Sequence, residues 1–575
     1  MRKRILRLAL AVGFLVFMIS LAVSASAALP APSIRFCWSV DGREITINVY
    51  EKKDNSLYLF LPGALKDQDP TIRLDGEPEI TWGEDIYQDG SVFHAQRYLD
   101  QTVQVTTSIG RNYQIRVLQG SEIPVLFFSV NKDDLRRVTN QYNRVNKNKN
   151  ADIREKADMV MLTGDGSLNA AEAVTSFKTH GNSTFFGNKK PYQFKIEHKV
   201  ALAGMEKNKK WMLLANWFDI SLIRNQITFD LCREIGLTST PDCRQADLYI
   251  NGNYYGTYLL AEKIQLKKGR LEISDLEETL EELNGKEVYE NAKWKKGRGG
   301  EFAQSLRYFD LPEEPEDVSG GYLLEIEKAL HYKLMENVAG FITDRTMRIV
   351  IKEPSHAGRR AVEYIASLVN DFHNAVMQKN GISPKTGKHY SEYIDMASFA
   401  LKIAVEEFCE NYDVRAASHF MYKDKDSVDS HLYAGPGWDY DLTYGNKDDG
   451  QHNPLKEDYV YLRSSEDSYL YHALLNHEDF RETTRRLFEE VFLPAAEVLA
   501  GRREPAAGSP LKPVSAYQDE IRESAAMNFA LWSPRSIQDV WDGSGRTFED
   551  SGAFVISWID QRLDLMNEKW LLKGE

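Results

Sequence analysis

Short apolar runs alternate with polar positions at a period of two between about residues 28 and 120, and turns rich in Gly and Pro separate them. The runs cover residues 46–50, 57–61, 103–106 and 113–117. Successive side chains of a strand point to opposite faces, so this pattern predicts half-buried strands. We therefore expect a small all-β, sandwich-like module here, with no chemistry of its own.

A second β-rich region is expected from about residue 121 to residue 265. Within it, two runs of β-branched and aromatic residues, 246–250 and 257–262, flank Asn251 and Gly252. Asn-Gly between two such runs is a strong short-range signal for a β-hairpin. The region is therefore expected to contain at least one tight antiparallel pair.

A helical period first appears between residues 221 and 235, where Ile or Leu recurs every four positions. Asp219 or Ser221 can cap the start of this helix, and Gly236 can end it. The same period dominates the second half of the chain. It predicts helices at residues 358–378, 395–410 with Asp395 as N-cap, 470–500, 514–530 and 551–572. Strands followed by many helices predict an α+β fold.

Residues 275–315 interrupt these patterns, since they are strongly charged and carry a Lys-, Arg- and Gly-rich stretch at 295–300. We expect a mobile insertion here, between the β-rich part and a helical part that covers about residues 320–575. Apolar residues at 321–326 predict a buried strand that resumes the fold after it.

The first 27 residues differ in kind from the rest of the chain. Four basic residues precede an apolar run from Leu8 to Val23, which ends at Ala25-Ser26-Ala27. This layout is typical of a cleavable secretory signal peptide, with cleavage before Ala28, and an uncleaved N-terminal anchor is the alternative. No later stretch approaches the roughly 18 apolar residues of a membrane-spanning helix. We expect an exported protein without an integral membrane segment after cleavage.

The formal net charge is −14, and loss of the four basic residues before Leu8 would make it −18. Nucleic acids and anionic lipid surfaces both require a positive surface, so neither is an expected partner. The four cysteines lack the paired spacing of a zinc site. Cys232 and Cys243 could form one local disulfide, or both could be free.

The segment 435–446, Gly-Pro-Gly-Trp-Asp-Tyr-Asp-Leu-Thr-Tyr-Gly-Asn, carries two carboxylates two positions apart. If it is extended, Asp439 and Asp441 point the same way. Mg²⁺ is held by one or two such carboxylates together with substrate phosphates. An ordinary turn, in which Asp bonds its own backbone, is the alternative interpretation.

A second candidate lies at residues 178–196, where glycine, small hydroxyl residues and an amide are followed by lysines that lead into a strand. Backbone N–H groups and ammonium groups both favour an anion, so this segment can form a phosphate-binding loop. A β-hairpin with solvated lysines is the alternative. Along the chain, the Gly- and Ser-containing loop and its lysines are followed by the helix at 221–235, the hairpin, a loop Asp at 413 and the segment with Asp439. This is the order in which kinase-like folds present phosphate loop, lysine, helix, hinge hairpin, catalytic Asp and metal Asp.

From about residue 123 to 572 the chain resembles the CotH kinase family, the atypical kinases named after a spore coat protein. The resemblance rests on several motifs in the family's order: His180-Gly181-Asn182-Ser183-Thr184, Lys189-Lys190-Pro191-Tyr192-x-x-Lys195, Arg224-Asn225, Tyr249 to Tyr258, Glu262, Gly321 to Glu325, Asn411-x-Asp413 and Trp438-Asp439-x-Asp441. It implies a two-lobe kinase-like fold.

Carried over by position, the resemblance implies ATP and Mg²⁺ or Mn²⁺ as cofactors. Asp413 matches the catalytic aspartate, and Asp439 the metal aspartate, with Asp441 as a second candidate. The nucleotide would contact Gly181, Asn182 and Ser183 in the loop, Lys190 or Lys195 at its phosphates, and Glu262 where a hinge meets adenine.

Two positions depart from the family's pattern. His180 stands where the family usually has Arg, and a largely neutral imidazole attracts phosphate less than a guanidinium does. Ser418 stands where the family commonly has the Asn that serves as a second metal ligand, so Ser418 is a metal candidate with a shorter reach.

The sequence leads to two hypotheses. In the first, the protein is an exported Mg²⁺-dependent kinase that transfers the γ-phosphoryl group of ATP to Ser or Thr hydroxyls of an envelope or spore-coat protein. In the second, it keeps the kinase fold but is catalytically weak or inactive, and acts as a structural or binding component of the cell surface or spore coat.

Overall fold

The structure, a computed structural model, describes residues 33–140, 153–181, 184–298, 305–413, 417–447, 453–456, 469–532 and 546–571. The predicted signal peptide lies outside these ranges. So do Asn182 and Ser183 of the predicted phosphate loop.

Residues 34–119 form two sheets, with strand orders β2-β1-β5 and β3-β4-β9-β8-β6-β7. The strands are β1 (Ile34–Val40), β2 (Arg43–Asn48), β3 (Tyr50–Glu51), β4 (Leu57–Leu61), β5 (Thr71–Leu74), β6 (Glu79–Trp82), β7 (Asp85–Gln88), β8 (Thr102–Thr107) and β9 (Asn112–Gln119). Phe36 in β1 meets Trp82 in β6 edge-to-face at 5.8 Å. The core of these sheets continues into the next part of the chain, because Phe60 packs on Tyr254 at 4.9 Å.

A closed seven-stranded barrel follows, with strand order β10-β11-β12-β13-β14-β16-β15. Its elements are β10 (Val125–Ser129), α1 (Lys132–Thr139), β11 (Glu155–Leu162), β12 (Leu168–Thr179), β13 (Tyr192–Val200), β14 (Asn208–Leu214), α2 (Arg224–Glu234), β15 (Cys243–Ile250) and β16 (Asn253–Glu262). The parallel pair β10 and β15 closes it, and the other neighbouring strands are antiparallel. Phe177, Phe194 and Trp211 fill the interior.

The predicted hairpin and the predicted end of the helix are confirmed in this region, whereas the helix begins at Arg224 and its N-cap residue is Ile223, not Asp219 or Ser221. β15 and β16 form the expected hairpin, and Asn251 and Gly252 both have positive φ, as the favoured two-residue turn requires. At the start of α2 the Asp219 carboxylate accepts a hydrogen bond from the Arg224 N–H at 2.9 Å. At its end Gly236 has φ +95°. Cys232 and Cys243 are both buried and free of a disulfide.

The charged segment 275–315 forms regular structure in its described part, in contrast to the mobile insertion that its composition indicates. It contains α3 (Leu276–Asn284), α4 (Lys286–Glu290), β17 (Lys293–Arg298) and β18 (Ser305–Asp310). Leu276, Leu280, Tyr289, Leu306 and Phe309 are buried in the main core. These apolar residues, spaced among many charges, anchor the segment.

β17 and β18 form one edge of a seven-stranded antiparallel sheet with strand order β17-β18-β20-β21-β19-β22-β23. The remaining strands are β19 (Tyr322–Ile326), β20 (Gly340–Ile342), β21 (Arg348–Glu353), β22 (His419–Lys423) and β23 (Leu432–Ala434), with α5 (Ala329–Leu334) after β19. The predicted strand near 321–326 is β19, an inner strand of this sheet between β21 and β22.

The described residues after β21 contain seven α-helices: α6 (Arg359–Val376), α7 (Met396–Cys409), α8 (Tyr469–Leu475), α9 (Glu478–Leu487), α10 (Leu493–Leu499), α11 (Val514–Leu531) and α12 (Phe548–Lys569). The N-cap prediction for α7 is confirmed, since Asp395 accepts from the Ser398 N–H at 2.6 Å. The α+β class predicted from the sequence is the class of this fold. Within the described ranges, no helix is long and apolar enough to cross a membrane.

Candidate functional site

The segment 435–446 follows β23 as a loop, irregular at 435–440 and with turns at 441–446, and the extended conformation considered for it is wrong. Asp439 has φ +69°, in the left-handed region. Gly437 has no room for a side chain, because a Cβ there would lie 2.7 Å from the Tyr440 hydroxyl and 3.0 Å from Cys232 Sγ. The loop is therefore closely packed, and its two carboxylates are placed by this loop conformation and not by strand alternation.

Helix α2 holds this loop from one side. The Asn225 side-chain oxygen accepts from the Tyr440 N–H at 2.8 Å, and the Arg224 guanidinium donates to the Thr443 carbonyl at 3.1 Å. Trp438 stacks on Phe229 with 5.6 Å between ring centroids. The Arg224-Asn225 motif thus positions the carboxylate loop.

Asp439 is partly buried, and one of its oxygens is occupied. The Ser418 hydroxyl donates to Asp439 Oδ2 at 2.9 Å. No described residue donates a hydrogen bond to Oδ1. Ser418 itself has φ +56°, and its N–H donates to Glu325 Oε1 at 3.1 Å.

Asp413 lies in a short turn after α7, close enough to Asp439 for the two carboxylates to repel each other. Its N–H donates to the Asn411 side-chain oxygen at 3.0 Å. The Lys328 ammonium lies 3.5 Å from Asp413 Oδ1. The structure thus brings together Asp413, Asp439, Asp441 and Ser418, four residues that sequence reasoning selected from two segments of the chain.

Burial and mutual repulsion shift the protonation of these carboxyl groups. Burial, and then the charge of Asp413, raise the pKa of Asp439 to about 7, against the stabilising hydrogen bond from Ser418. Burial, and then the charges of Asp439 and Asp413, raise the pKa of Asp441 well above its usual range. Carboxyl groups shifted in this way are characteristic of functional sites, and a bound cation would relieve the repulsion.

The donor set fits a nucleotide-bound Mg²⁺ better than a fully protein-bound ion. In the part of the chain that the structure covers, no three His, Cys, Asp or Glu side chains are grouped closely enough to hold a metal ion. Mg²⁺ commonly takes only one or two carboxylates, with phosphate and water oxygens as its other ligands. Asp439 Oδ1 and the Asp441 carboxylate are the groups that would hold it.

A group of lysines lies on the outer face of the barrel and on the neighbouring sheet. In the antiparallel register of β13 and β14, Lys195 pairs with Lys210. Trp211 in β14 pairs with Glu262 in β16, and this pairing places the next residue, Lys263, near Lys210. Burial, and then the charge of Lys210, lower the pKa of Lys263 to about 8. Lys178 and Lys352 also act on Lys263. Adjacent like charges of this kind favour a bound polyanion.

The lysine group reaches the carboxylate site through Lys352. Its ammonium lies 2.8 Å from Glu325 Oε2, and Glu325 accepts from Ser418. Glu353 follows Lys352 in the chain. Burial, and then the charge of Glu277 and a hydrogen bond with it, raise the pKa of Glu353 to about 8, and the charges of Lys263 and Lys210 act in the opposite direction.

The two lysines predicted to bind phosphate lie in different surroundings, and their role toward phosphate stays a prediction. Lys190 is half-buried and donates to the Phe185 carbonyl at 2.6 Å. It lines a cavity with Tyr192, Tyr255 and Trp532. Lys195 is exposed on the barrel face, beside Lys210. Lys195 thus belongs to the lysine group, and Lys190 interacts with its own loop.

Glu262 is buried, and its carboxylate is occupied. It forms an ion pair with Arg270 and accepts from the Asp242 N–H at 3.1 Å. The Arg270 guanidinium lies 4.7 Å from the Trp211 ring centroid. The Glu262 carboxylate is therefore held by Arg270 and by the backbone of Asp242, and its place beside adenine stays a prediction.

At the start of the predicted phosphate loop, Gly181 has φ +99°, and a Cβ there would lie 2.5 Å from the Thr184 hydroxyl. The His180 before it carries no charge at neutral pH. Burial, followed by the charges of Lys178, Lys263 and Lys352, lowers the pKa of His180 to about 3. The described part of the loop therefore requires glycine and lacks the positive charge of an Arg.

Sequence reasoning missed five charged residues of the site: Lys178, Lys210, Lys263, Lys328 and Lys352. Glu325 was noticed only as part of a motif. Lysines are common on strand surfaces, and no local pattern distinguishes these five. Their proximity depends on the barrel register and on the packing of β19 and β21 beside it.

A profile of the family described as CotH kinase protein matches residues 177–566, which is more than half of the chain. The matched range includes the predicted phosphate loop, α2, the β15–β16 hairpin, Asp413 and the loop with Asp439. The two N-terminal sheets lie before it. No curated protein matches the chain significantly. On the extent of the profile match, this chain belongs to the CotH kinase family.

Proposed function

We propose that this protein is an exported, Mg²⁺-dependent atypical kinase that transfers the γ-phosphoryl group of ATP to Ser or Thr hydroxyls of an envelope or spore-coat protein. Family membership supports the phosphotransferase class. The basic and apolar pattern of the first 27 residues supports export. The barrel and the helical part would form the two lobes, after an N-terminal all-β module.

The observation that carries the proposal is the position of two acidic groups beside a lysine group. Asp413 and Asp439 are close enough to interact electrostatically. Lys352 connects this pair, through Glu325, to Lys178 and Lys263 on the barrel face. A nucleoside triphosphate needs cationic groups along its phosphates and carboxylates for its metal ion.

Each residue has a role in this scheme. Asp439 and Asp441 would hold Mg²⁺, which when bound neutralises charge on the phosphate oxygens. Asp413 would accept the proton of the substrate hydroxyl or orient that hydroxyl. Lys328, 3.5 Å from Asp413, would offer positive charge where the phosphoryl group passes. Catalysis would rest mainly on positioning and charge neutralisation.

Radiolabel transfer tests the proposal directly. The purified protein is incubated with γ-labelled ATP, Mg²⁺ or Mn²⁺ and a Ser/Thr-rich acceptor protein. We expect incorporation that falls at least about a hundredfold in Asp413→Ala and Asp439→Ala. Asp426→Ala is the matched control, because Asp426 pairs with Lys423 at 2.8 Å between β22 and β23 and not at the acidic site. Equal labelling by the wild type and both Asp variants would reject the proposal.

The second candidate is a binding or structural component of the cell surface or spore coat that keeps the fold with little or no transfer. The hydrogen bond of Ser418 to Asp439 favours it, since the position of the family's second metal ligand is used here to hold the first. Thermal denaturation distinguishes the two candidates. ATP with Mg²⁺ should raise the melting temperature of a nucleotide-binding protein, whereas an unchanged melting temperature would favour the structural role.

A further inference from the structure

A chain of three polar contacts crosses the seven-stranded sheet and ends at Asp439. Lys352 in β21 lies 2.8 Å from Glu325 Oε2. Glu325 Oε1 accepts the Ser418 N–H at 3.1 Å. The Ser418 hydroxyl then donates to Asp439 Oδ2 at 2.9 Å. Among the described residues, each carboxylate oxygen in this chain of contacts has its own partner, except Asp439 Oδ1.

The strand order makes this arrangement possible. β19 lies between β21 and β22, so Glu325 lies between the strand of Lys352 and the strand that Ser418 precedes. Glu325 is buried and Lys352 is partly exposed. A buried carboxylate with both oxygens bonded has little freedom to rotate, which makes it a firm acceptor.

The backbone at Ser418 needs such support. Its φ of +56° is in the left-handed region, which non-glycine residues seldom occupy. The Glu325 carboxylate bonds the N–H of this residue, and the hydroxyl of the same residue fixes Asp439. The conformation of Ser418 therefore couples the sheet to the metal aspartate.

We infer that Lys352, Glu325 and Ser418 are positioning residues that orient Asp439 so that Oδ1 faces a divalent cation. The inference rests on the proposed function for its cation site. It assigns Ser418 a role as hydrogen-bond donor to the metal aspartate, in place of the role of second metal ligand. Groups that orient a ligating carboxylate commonly contribute about 10- to 100-fold to metal affinity.

Mn²⁺ binding to the full chain, measured by electron paramagnetic resonance without nucleotide and with ATP, tests the inference. We expect Ser418→Ala and Glu325→Ala to weaken Mn²⁺ binding by about 10- to 100-fold. Ser418→Asn should keep most of the affinity, because Asn tolerates positive φ and its amide can donate to Asp439. The Mn²⁺ affinity of Glu325→Gln should lie between those of the wild type and Glu325→Ala, since glutamine keeps an acceptor oxygen and loses the ion pair with Lys352.

Asp426→Asn is the control. Asp426 is also paired with a lysine of the sheet, Lys423 in β22, at 2.8 Å, but at the far end of the strand from Ser418. The Mn²⁺ affinity of the Asp426→Asn variant should equal that of the wild type. Melting temperatures of all variants separate loss of the site from loss of the fold.

Mn²⁺ affinity that is unchanged in folded Ser418→Ala and Glu325→Ala would overturn the inference. So would a wild-type protein that binds no Mn²⁺ in either condition. Radiolabel transfer, measured on the same samples, judges the proposed function separately. Mn²⁺ binding that depends on Ser418 without any transfer would reject the kinase activity and support the positioning role. Phosphoryl transfer by the wild type, with Mn²⁺ affinity unchanged in the Ser418 and Glu325 variants, would support the kinase activity and reject the positioning role.

Discussion

Arg224 and Thr443 connect helix α2 to the loop that carries Asp439 and Asp441, through a hydrogen bond of 3.1 Å from the guanidinium to the carbonyl. Arg224 is fully buried, and Asp219 is its ion-pair partner at 2.6 Å. A single charged residue therefore links the start of a helix to the loop that carries the two carboxylates. This contact explains physically why the Arg224-Asn225 pair belongs with the site motifs.

Removing Asp219 should strongly destabilise the fold. Asp219→Ala would leave the Arg224 guanidinium buried without its carboxylate, at a cost of about 3–5 kcal/mol. Urea denaturation measures the change in the free energy of unfolding. Asp560→Ala serves as the control, because its pair with Arg502 is exposed and should contribute at most about 1 kcal/mol. Equal losses in the two variants would contradict this prediction.

The lysines on the barrel face should control ATP affinity. Lys210→Met and Lys263→Met keep the length of the side chain and remove its charge, so each should weaken ATP binding about tenfold. Lys190→Met should change it less than about twofold, since Lys190 bonds the Phe185 carbonyl. Fluorescence titration with a labelled ATP analogue checks this. A larger effect at Lys190 would favour the original prediction from the motif.

Substitutions of Asp413 and Asp439 should differ in their effects on Mn²⁺ affinity and on phosphoryl transfer. Asp439→Asn removes a metal carboxylate, so Mn²⁺ affinity and phosphoryl transfer should both fall by at least about tenfold. Asp413→Asn should lower transfer by about 100-fold or more while Mn²⁺ affinity changes less than threefold, because its role is toward the hydroxyl. Electron paramagnetic resonance and radiolabel transfer provide the two measurements. Loss of Mn²⁺ binding in Asp413→Asn would show that Asp413 is itself a metal ligand.

His180 should make the stability of the protein depend on pH. Its folded-state pKa of about 3 lies below the ordinary value of 6.5, so the unfolded chain binds the extra proton first and stability falls as pH drops below 6.5. Between pH 7.5 and 5.5 the wild type should lose about 1.4 kcal/mol relative to His180→Gln. Urea denaturation at both pH values tests this. Parallel pH profiles for the two proteins would show that His180 titrates normally.

The sequence determined the local elements of this protein and the identity of its acidic residues. The period of four in α2, the Asp395 cap and the Asn251-Gly252 turn are confirmed, because each depends on residues close together in the chain. The CotH kinase family was also identifiable from ordered motifs, and the profile match confirms it. The division into a β-rich and a helical part stays a prediction, and the part predicted as helical also contains β19 to β23 of the seven-stranded sheet.

Only the tertiary structure decided how these elements meet. Closure of the barrel depends on the pairing of β10 with β15, strands separated by more than a hundred residues. That pairing and the register of β13, β14 and β16 bring Lys210 and Lys263 together, whereas Lys190 bonds its own loop. The structure likewise assigned the Ser418 hydroxyl to Asp439 and the Glu262 carboxylate to Arg270. Local patterns cannot specify such contacts, since they arise from packing between distant segments.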